Sequence, residues 1–547
     1  MRILDVCTWP FTRTPALFVM FVIMQAPLTV YFYWPPHRGW TLYENFYAYF
    51  MAYSESIAMT WQLLMVYCGL RCLKRRWPAV TWLVLVIVVL AVNMFADLCL
   101  KQIYNHPLEA DLVSIFAATN PAEGSEFLST YLTPRLIRWT VASAVWCLMG
   151  YYGTLWIVRW LLRRSTRRSW LACKIAAFVI VLVAEVTVIA APADFGCTAS
   201  LRGKMYEILQ YRPDPPMQRQ HPRLMAIDGA EPAPARIVVI VGESLSRLHC
   251  QTYGYAVANQ PRLQQRVDSG QVVLYNDPVS PALTTLTALK QIIGTYTDGD
   301  TTPYYRCPTF IEVAQLCGYR VNWFSNQASK GASANAVTNM ADLADHRRFT
   351  NNGMMGKFTK TLDNLLLAMA DSVAAAAEPR QMDIYHLLGS HFAYEFRYPG
   401  EFAVFTPADY PDRPASQRFM VAAYDNSVLF NDYVVSSIMD VYSLQDAIVL
   451  YVPDHAEDIY MSSPDYAGHA LPTAASSPYG HMIPMMVYMT PQFRQLHPEL
   501  SARITEAARQ PGANTTNLIY TLMDIIGVDF ADSPGVVRRH SFARPRG

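Results

Sequence analysis

The chain has 547 residues, of which 52% are hydrophobic and only 16% are charged, and its formal net charge is +1. An average soluble domain carries about 25% charged residues, so this composition argues against a chain that is soluble throughout. The near-neutral balance argues against a nucleic-acid-binding protein, which concentrates positive charge on one face. Charged residues are sparse before about residue 195 and common after it, which indicates two unlike halves.

Five long apolar segments lie in the first half, and each is long enough to cross a bilayer. A spanning helix needs roughly 20 predominantly apolar residues, because each residue rises only about 1.5 Å. Five such runs favour a membrane domain over buried helices of a large soluble protein. Glu55 and Glu185 interrupt two of them, and each is predicted to face water or to pair with another helix. The segments are 14–37, 46–70, 77–96, 139–158 and 175–193.

The basic residues predict the orientation of these segments. Arg and Lys cluster before the first segment, between the second and third, and between the fourth and fifth. Positive charge favours the cytoplasmic side, so residues 101–135 and everything after about 195 are predicted to be exported. In a bacterial cell that compartment is the oxidising periplasm. The exported part of the chain has four cysteines: Cys197, Cys250, Cys307 and Cys317. They allow three sets of disulfide pairings, and all three stay open.

The second half begins with a connector and continues as an α/β domain. Residues 197–235 are rich in Pro, Arg and Gln, which is typical of an extended linker. Continuous apolar, β-branched runs then alternate with helix-like stretches, which predicts a mostly parallel sheet. The sequence thus divides into a five-helix transmembrane domain at 1–196, a bridging segment at 197–235 and an exported domain at 236–547. The predicted strands include 237–241, 320–324, 382–386, 447–452 and 485–489.

Acidic residues and histidines follow three of these predicted strands. Ligands of parallel sheets bind beyond the carboxyl ends of the strands. Glu243 follows the first strand, Asp454 and His455 follow the fourth, and His391 follows the third. Carboxylate oxygen and imidazole nitrogen are zinc ligands, so a zinc site is predicted at this edge. An Asp-His pair alone is weak evidence, because such pairs also occur by chance as loop caps. The zinc hypothesis therefore rests on the placement of Glu243, the Asp-His pair and His391 after three predicted strands.

A hydroxyl-rich stretch at 280–290 turns into a helix with apolar periodicity. A hydroxyl at a helix N-terminus faces backbone N–H donors, which suit the charge of a phosphoryl group, and zinc would make the hydroxyl a better nucleophile. The alternative is a simple cluster of N-capping residues. Thr284 and Thr285 are both candidates at this point.

Several motifs in this order resemble those of the membrane-bound phosphoethanolamine transferases of the bacterial envelope, within the alkaline phosphatase and sulfatase superfamily. Residues 241–247 (Val-Gly-Glu-Ser-Leu-Ser-Arg) look like the family's zinc-glutamate motif, and 454–457 (Asp-His-Ala-Glu) stand where the family usually has Asp-His-Gly-Glu. Residues 323–327 (Trp-Phe-Ser-Asn-Gln) and 424–426 (Tyr-Asp-Asn) resemble further family motifs. The resemblance covers nearly the whole chain.

The resemblance implies a role for individual residues. Glu243, Thr285, Asp454 and His455 would bind one or two zinc ions, with Thr285 as the catalytic nucleophile. Thr285 is preferred to Thr284 because Thr-x-x-Ala-Leu resembles the family's Thr-x-Pro-Ala-Leu, although Thr287 replaces the proline here. His391 and His469 would bind the phosphate or a second zinc, with His481 as a competitor for the role of His469. Thr119 and Glu123 would bind the ethanolamine head of the lipid donor.

The implied reaction transfers phosphoethanolamine from phosphatidylethanolamine to a lipopolysaccharide acceptor. Phosphoethanolamine would first be attached to the threonine, and then passed to a core sugar, to lipid A or to another envelope glycan. The protein would reside in the bacterial inner membrane with its catalytic domain in the periplasm. Two alternatives stay open: a related glycerol-phosphate transferase, and a non-enzymatic membrane sensor or assembly factor on the same scaffold. A sulfatase is not favoured, since no Cys/Ser-x-Pro-x-Arg stretch is found.

Overall fold

The computed structural model divides into two compact units, one built from helices within the first 212 residues and one from residues 213–547. Each unit is a separate body with its own core. The residues described are 2–33, 42–103, 113, 132–164, 167–190, 204–205, 208–209, 215–328, 336–351, 361–376, 378–464, 466–469 and 478–545.

The first unit is helical, and three of its described helices are long and apolar enough to cross a membrane. The apolar stretches are Trp77–Leu100, Pro134–Leu161 and Leu171–Ile189. They confirm the predicted multi-pass helical membrane domain, while the number of five spans stays a prediction. Two further predicted spans, 14–37 and 46–70, overlap the helices Pro15–Tyr33 and Leu42–Leu70. The helices are α1 (Arg2–Cys7), α2 (Trp9–Arg13), α3 (Pro15–Tyr33), α4 (Leu42–Leu70), α5 (Trp77–Ile103), α6 (Pro134–Arg164) and α7 (Arg167–Ala190).

Small and polar residues join the membrane helices. Gly150 on α6 lies so close to α3 that a Cβ atom there would lie 2.2 Å from the Cδ1 atom of Ile23. Small residues permit such approaches in membranes, where packing replaces the hydrophobic effect. Glu185 on α7 accepts hydrogen bonds of 3.1 and 3.2 Å from Gln62 on α4. Of the two roles predicted for Glu185, the structure therefore shows the helix-paired one.

The second unit is an α/β domain, as predicted. Its helices are α8 (Pro261–Asp268), α9 (Thr285–Ile292), α10 (Phe310–Leu316), α11 (Ala336–Ala341), α12 (Leu367–Ala374), α13 (Ala415–Val441), α14 (Pro491–Leu496), α15 (Pro498–Ala508), α16 (Leu518–Ile526) and α17 (Val536–His540). Its strands are β1 (Leu224–Ala226), β2 (Arg236–Gly242), β3 (Val272–Leu274), β4 (Arg320–Ala328), β5 (His346–Asn351), β6 (Gln381–His386), β7 (Ala447–Pro453), β8 (Asp458–Ile459), β9 (Ala467–Gly468), β10 (Met486–Met489) and β11 (Val528–Phe530).

Seven strands form the central sheet in the order β3-β10-β7-β2-β6-β4-β5. The strands from β7 to β5 pair in parallel, while β10 is antiparallel to both of its neighbours. β2 and β7 lie at the centre and are buried along their whole length. Strands buried on both faces are apolar without interruption, which explains why the run at 237–241 identified β2. Helices cover both faces and complete two apolar cores.

From residue 215 onward, the bridging segment lies against other residues of the second unit. The Gln218 amide donates to the Tyr305 carbonyl at 2.8 Å, and the Arg219 guanidinium donates to the Leu343 carbonyl at 2.8 Å. Further along, β1 pairs with β11 in a two-stranded ribbon. The extended segment predicted from composition is thus bound to the α/β unit from residue 215 onward.

Candidate active site

The sheet register brings the metal-binding candidates to one edge. Gly242 at the end of β2 pairs with Pro453 at the end of β7, so the next residues along the two strands are neighbours. These residues are Glu243 and Asp454, followed by His455. All three side chains are buried, and each offers one ligand atom within 4.8 Å of the others. Residues more than 200 positions apart in the chain therefore meet because the strands are parallel and in register.

Thr285 completes this group. It is the first residue of α9, and its Oγ1 atom lies 3.2 and 3.3 Å from the two carboxylate oxygens of Glu243 and 3.4 Å from Nε2 of His455. Nε2 of His455 lies 3.3 Å from Glu243 and 3.5 Å from Oδ2 of Asp454. Thr284 is the N-cap of α9, and its hydroxyl bonds instead to that of Thr287 at 2.5 Å.

These spacings fit a tetrahedral metal ion. Ligand atoms about 2.0–2.1 Å from a tetrahedral zinc ion lie roughly 3.3–3.4 Å from one another, which is close to the distances among Thr285, Glu243 and His455. Oδ2 of Asp454 is buried and has no hydrogen-bond partner, although its Oδ1 accepts from the amides of Ser244 and His455. A buried carboxylate oxygen without a donor is costly unless a cation lies beside it. The residues present therefore fit a bound metal.

The charges of the buried cluster are strongly coupled. Burial would raise the pKa of Glu243, but the hydrogen bond and charge of His455 hold it well below its usual range. Burial, and then the charge of Glu243, raise the pKa of Asp454. Burial opposes charge on His455, yet Asp454 and Glu243 raise its pKa above the usual value.

Two more histidines lie in front of this cluster. The ring centroids of His455 and His469 are 4.4 Å apart, and those of His469 and His391 are 5.8 Å apart. His391 and His469 are half-buried, like Thr285, whereas the metal-binding candidates behind them are buried. The half-buried side is therefore where a substrate can enter. His481 instead bonds the Ser280 carbonyl through Nδ1 at 2.8 Å, and of the two predicted candidates it is His469 that lies beside His455 and His391.

Two residues at the site had no role in the sequence-based prediction. Nε2 of Gln327 donates to Oε2 of Glu243 at 3.1 Å, from a position where β4 has a register irregularity. Such bulges re-aim side chains next to active sites. Glu457 is buried and accepts from Nδ1 of His469 at 2.9 Å. Both residues lie in motifs noted in the sequence: Gln327 follows a predicted strand, and Glu457 lies beside the Asp-His pair. These positions could have identified them as candidate site residues.

Polar residues of α13 fix the loop that carries Glu243. The Tyr424 hydroxyl donates to the Ser244 carbonyl and accepts from the Ser246 amide, both at 2.8 Å. Ser244 itself has a φ of 57°, a left-handed conformation that needs outside support. The Asp432 carboxylate caps α8 through the amides of Arg262 and Leu263. Tyr424 of the Tyr-Asp-Asn motif therefore holds the loop that carries Glu243.

The remaining predicted features fall partly outside the described residues. Thr119, Glu123 and Cys197 lie there, so their predicted roles stay predictions. Cys250, Cys307 and Cys317 are described, and each is free.

The fold and the site together define a membrane-anchored α/β protein with a carboxylate, imidazole and threonine cluster at the carboxyl edge of a parallel sheet. Residues 235–528 match the sulfatase family, which is more than half of the chain, and the protein belongs to that family. This match confirms the predicted superfamily.

Curated relatives narrow the resemblance within the superfamily. Phosphoethanolamine transferase EptC of Escherichia coli O18:K1:H7 is 25% identical over 306 residues, which cover 54% of this chain and 52% of the relative. Phosphoethanolamine transferase CptA of Salmonella typhimurium is 26% identical over 313 residues, covering 55% and 52%. Each match thus spans about half of the relative's length. Both relatives belong to the family that the motifs resemble, which confirms that resemblance.

Solved structures share the fold. The integral membrane protein lipooligosaccharide phosphoethanolamine transferase A from Neisseria meningitidis matches with a TM-score of 0.67 and 17% identity, covering 97% of this chain and 99% of that one. The C-terminal periplasmic domain of Escherichia coli EptC, in complex with Zn, matches with a TM-score of 0.53 and 23% identity, covering 60% of this chain and 90% of that one. The two-unit architecture is therefore that of a full-length membrane protein of known structure.

Proposed function

We propose that the protein is a zinc-dependent phosphoethanolamine transferase of the bacterial inner membrane, with its α/β domain in the periplasm. The proposed domains are 1–196 for the transmembrane domain, 197–235 for the bridging segment and 236–547 for the catalytic domain. The observation that carries the proposal is the group of Thr285, Glu243, Asp454 and His455, whose ligand atoms have the spacing of a tetrahedral site. The names of the curated relatives support the group that is transferred.

The proposed donor is phosphatidylethanolamine. Oγ1 of Thr285 attacks the donor phosphorus, the bond from phosphorus to the diacylglycerol oxygen breaks, and diacylglycerol leaves with a proton. The threonine then carries phosphoethanolamine. A hydroxyl or phosphate of the acceptor attacks the same phosphorus, the bond to Oγ1 breaks, and the threonine hydroxyl is restored. Such double displacement divides one difficult transfer into two easier steps.

The residues around Thr285 have separate proposed roles. Glu243 accepts the hydrogen bond of the Thr285 hydroxyl and orients it. Glu243, Asp454 and His455 would hold the ion, with Thr285 as the fourth ligand. Zinc at this position supplies the positive charge that lowers the proton affinity of the threonine and balances the phosphoryl oxygens. His391 and His469, whose ring centroids lie 5.8 Å apart beside this group, would bind the phosphate oxygens.

The proposed acceptor is a lipopolysaccharide, at a core sugar or at lipid A. One relative is named Kdo(2)-lipid A phosphoethanolamine 7''-transferase and is 26% identical over 279 residues. This supports the acceptor class without choosing the position within it.

The proposal is tested by replacing each threonine in turn. The full chain is reconstituted in liposomes with phosphatidylethanolamine and lipopolysaccharide, and the modified acceptor is quantified by mass spectrometry. Thr285→Ala is expected to abolish transfer, whereas Thr284→Ala should retain it, because the Thr284 hydroxyl bonds to Thr287 and makes no side-chain capping bond to α9. Transfer by Thr285→Ala at the wild-type rate would contradict the proposal. Intact mass of wild-type protein incubated with phosphatidylethanolamine alone should show one added phosphoethanolamine on Thr285. No adduct with that lipid, together with one added glycerol phosphate after incubation with phosphatidylglycerol, would indicate the related transferase instead.

A further inference from the structure

Two arginines lie at the N-terminal end of α6, where the predicted membrane topology does not favour positive charge. Arg135 and Arg138 lie in the first turns of α6, and both side chains are exposed. Positive charge normally collects at the cytoplasmic ends of membrane helices, yet this end is predicted to be exported. Within the described residues, neither arginine forms a salt bridge. Two exposed cations at the predicted outer face of the inner membrane, without a salt bridge to any residue that the structure describes, favour an anionic partner.

A cavity of about 190 Å³ lies next to them in the same unit. It is bounded by α6, α3 and α5, and its lining is predominantly apolar. Trp139 and Trp146 flank it and are 45% and 56% exposed, so it opens toward the membrane. The small side chain of Ala142 leaves the space between the two rings. The lining residues are Ile23, Met94, Trp139, Ala142, Ser143, Trp146 and Cys147.

The arginines and the cavity share one face of α6. Positions three and four apart are neighbours on a helix, so Arg138 precedes Ala142, and Arg135 precedes Trp139, on the same face. Helical side chains tilt toward the N-terminus, which is here the predicted outer end, so both guanidinium groups extend from the cavity toward the membrane surface. Trp139 and Trp146 are about 10 Å apart along the axis at 1.5 Å per residue, a depth that fits within one leaflet of a roughly 30 Å hydrocarbon core.

We infer that this face of α6 binds one phospholipid of the outer leaflet, with its phosphate on Arg135 and Arg138 and one acyl chain in the cavity beside Ala142. Arginine binds phosphate oxygens through paired, charge-assisted hydrogen bonds. The cavity takes an acyl chain because α6 faces the membrane: only 6% of its apolar stretch is buried against the rest of the chain. The inference rests on the orientation given under the proposed function, and not on the transfer reaction.

Native mass spectrometry tests the site on the full chain. Delipidated protein in detergent is titrated with dioleoyl phosphatidylethanolamine, and the dissociation constant of the first bound lipid is measured. Ala142→Trp fills the cavity, and Arg135→Gln with Arg138→Gln removes the positive charge. Each is expected to weaken binding about tenfold or more, equivalent to about 1.4 kcal/mol. Phosphatidylglycerol should bind like phosphatidylethanolamine because the phosphate is shared, and dioleoylglycerol should bind at least about tenfold more weakly.

Matched controls lie on the same helix. Val145→Trp adds the same ring at an exposed position that does not line the cavity, and Arg159→Gln with Arg163→Gln removes two charges from the opposite end. Both controls should bind the lipid as the wild type does. Equal affinity of the wild type, Ala142→Trp and the Arg135→Gln, Arg138→Gln variant would overturn the inference, and so would equal weakening in the controls. Failure of wild-type transfer in liposomes would contradict the proposed function but leave this measurement unaffected.

Discussion

At the scale of the residue, the site depends on side chains that orient the proposed metal ligands. Glu243 is oriented at both oxygens, since Ser244 donates to Oε1 at 2.7 Å and Gln327 donates to Oε2 at 3.1 Å. Partners of this kind fix the direction of a ligand, and their loss typically costs 10–100-fold in metal affinity or activity. Gln327 is therefore a positioning residue.

Gln327→Ala is expected to weaken zinc binding about 10–100-fold, because Oε2 of Glu243 loses the side-chain donor that helps to fix its direction while Ser244 still holds Oε1. Zinc affinity is measured by competition with a chromophoric chelator, and the thermal midpoint of the metal-free protein is measured alongside. The midpoint should fall by no more than about 2–4 °C, since Gln327 is half-buried and its second hydrogen bond, to the Leu387 carbonyl, contributes about 1 kcal/mol. Gln264→Ala, a half-buried glutamine on α8 whose amide bonds Asp268, serves as the control. Unchanged zinc affinity in Gln327→Ala would show that Glu243 needs no such partner.

Gly389 is the second residue on which the site geometry depends. Its φ is +51°, and a Cβ atom there would lie 2.6 Å from the backbone oxygen of Glu243. The neighbouring Ser390 amide donates to that same oxygen at 3.0 Å, and Asp363 accepts from the Gly389 amide at 2.8 Å. The loop carrying His391 therefore passes directly over the backbone of Glu243, which only glycine permits.

Gly389→Ala is expected to displace this loop and to reduce both zinc affinity and transfer by at least about tenfold, since a left-handed alanine adds roughly 1–2 kcal/mol of strain to the clash. Gly400→Ala is the matched control, because its Cβ would meet nothing within 4 Å. The two variants are compared by zinc titration and by the liposome assay. Wild-type behaviour of Gly389→Ala would mean that the loop is not confined as the structure shows it.

At the scale of the element, parallel strands and one long helix create the site. The strand ends could be predicted because β2 and β7 contain continuous apolar runs and β6 has apolar residues at 382, 384 and 385, and the residues that follow these strands fall at one edge. β3 and β5 were not predicted: β3 has only three residues, and β5 at the sheet edge is a charged stretch without an apolar run. The contact of Gln327 with Glu243 could not be predicted either, since it joins positions 84 residues apart through an irregularity in β4.

Tyr424→Phe tests the support that α13 gives to the loop after β2. Loss of the hydroxyl leaves the buried Ser246 amide and Ser244 carbonyl without a partner, at a cost of about 1–3 kcal/mol. The thermal midpoint of the α/β unit should fall by about 2–4 °C per kcal/mol. Tyr433→Phe, on the same helix and half-buried, should change it little. Equal midpoints for Tyr424→Phe and the wild type would show that the loop holds its left-handed residue without α13.

At the scale of the whole molecule, the account requires that the α/β unit and the basic loops lie on opposite sides of the membrane. The apolar segments and their basic flanks gave this topology from the sequence, because hydrocarbon excludes charge and unsatisfied backbone. Cys72 is exposed in the loop between α4 and α5, predicted to be cytoplasmic. Leu444 is 91% exposed on the α/β unit.

A membrane-impermeant maleimide applied to intact spheroplasts should label Leu444→Cys in a cysteine-free background, and should leave a variant with only Cys72 unlabelled. Detergent permeabilisation should then allow the reagent to label Cys72, which would prove that this thiol is reactive. Labelling of Cys72 in intact spheroplasts would reverse the topology and place the candidate site in the cytoplasm.

The central claim is that Glu243, Thr285, Asp454 and His455 surround one cation. Anomalous diffraction at the zinc absorption edge from crystals of the zinc-loaded protein measures this directly. We predict a peak with a carboxylate oxygen of Glu243, a carboxylate oxygen of Asp454 and Nε2 of His455 each at about 2.0–2.2 Å. A zinc-loaded crystal with its anomalous peaks only elsewhere, and none bounded by these side chains, would contradict the account.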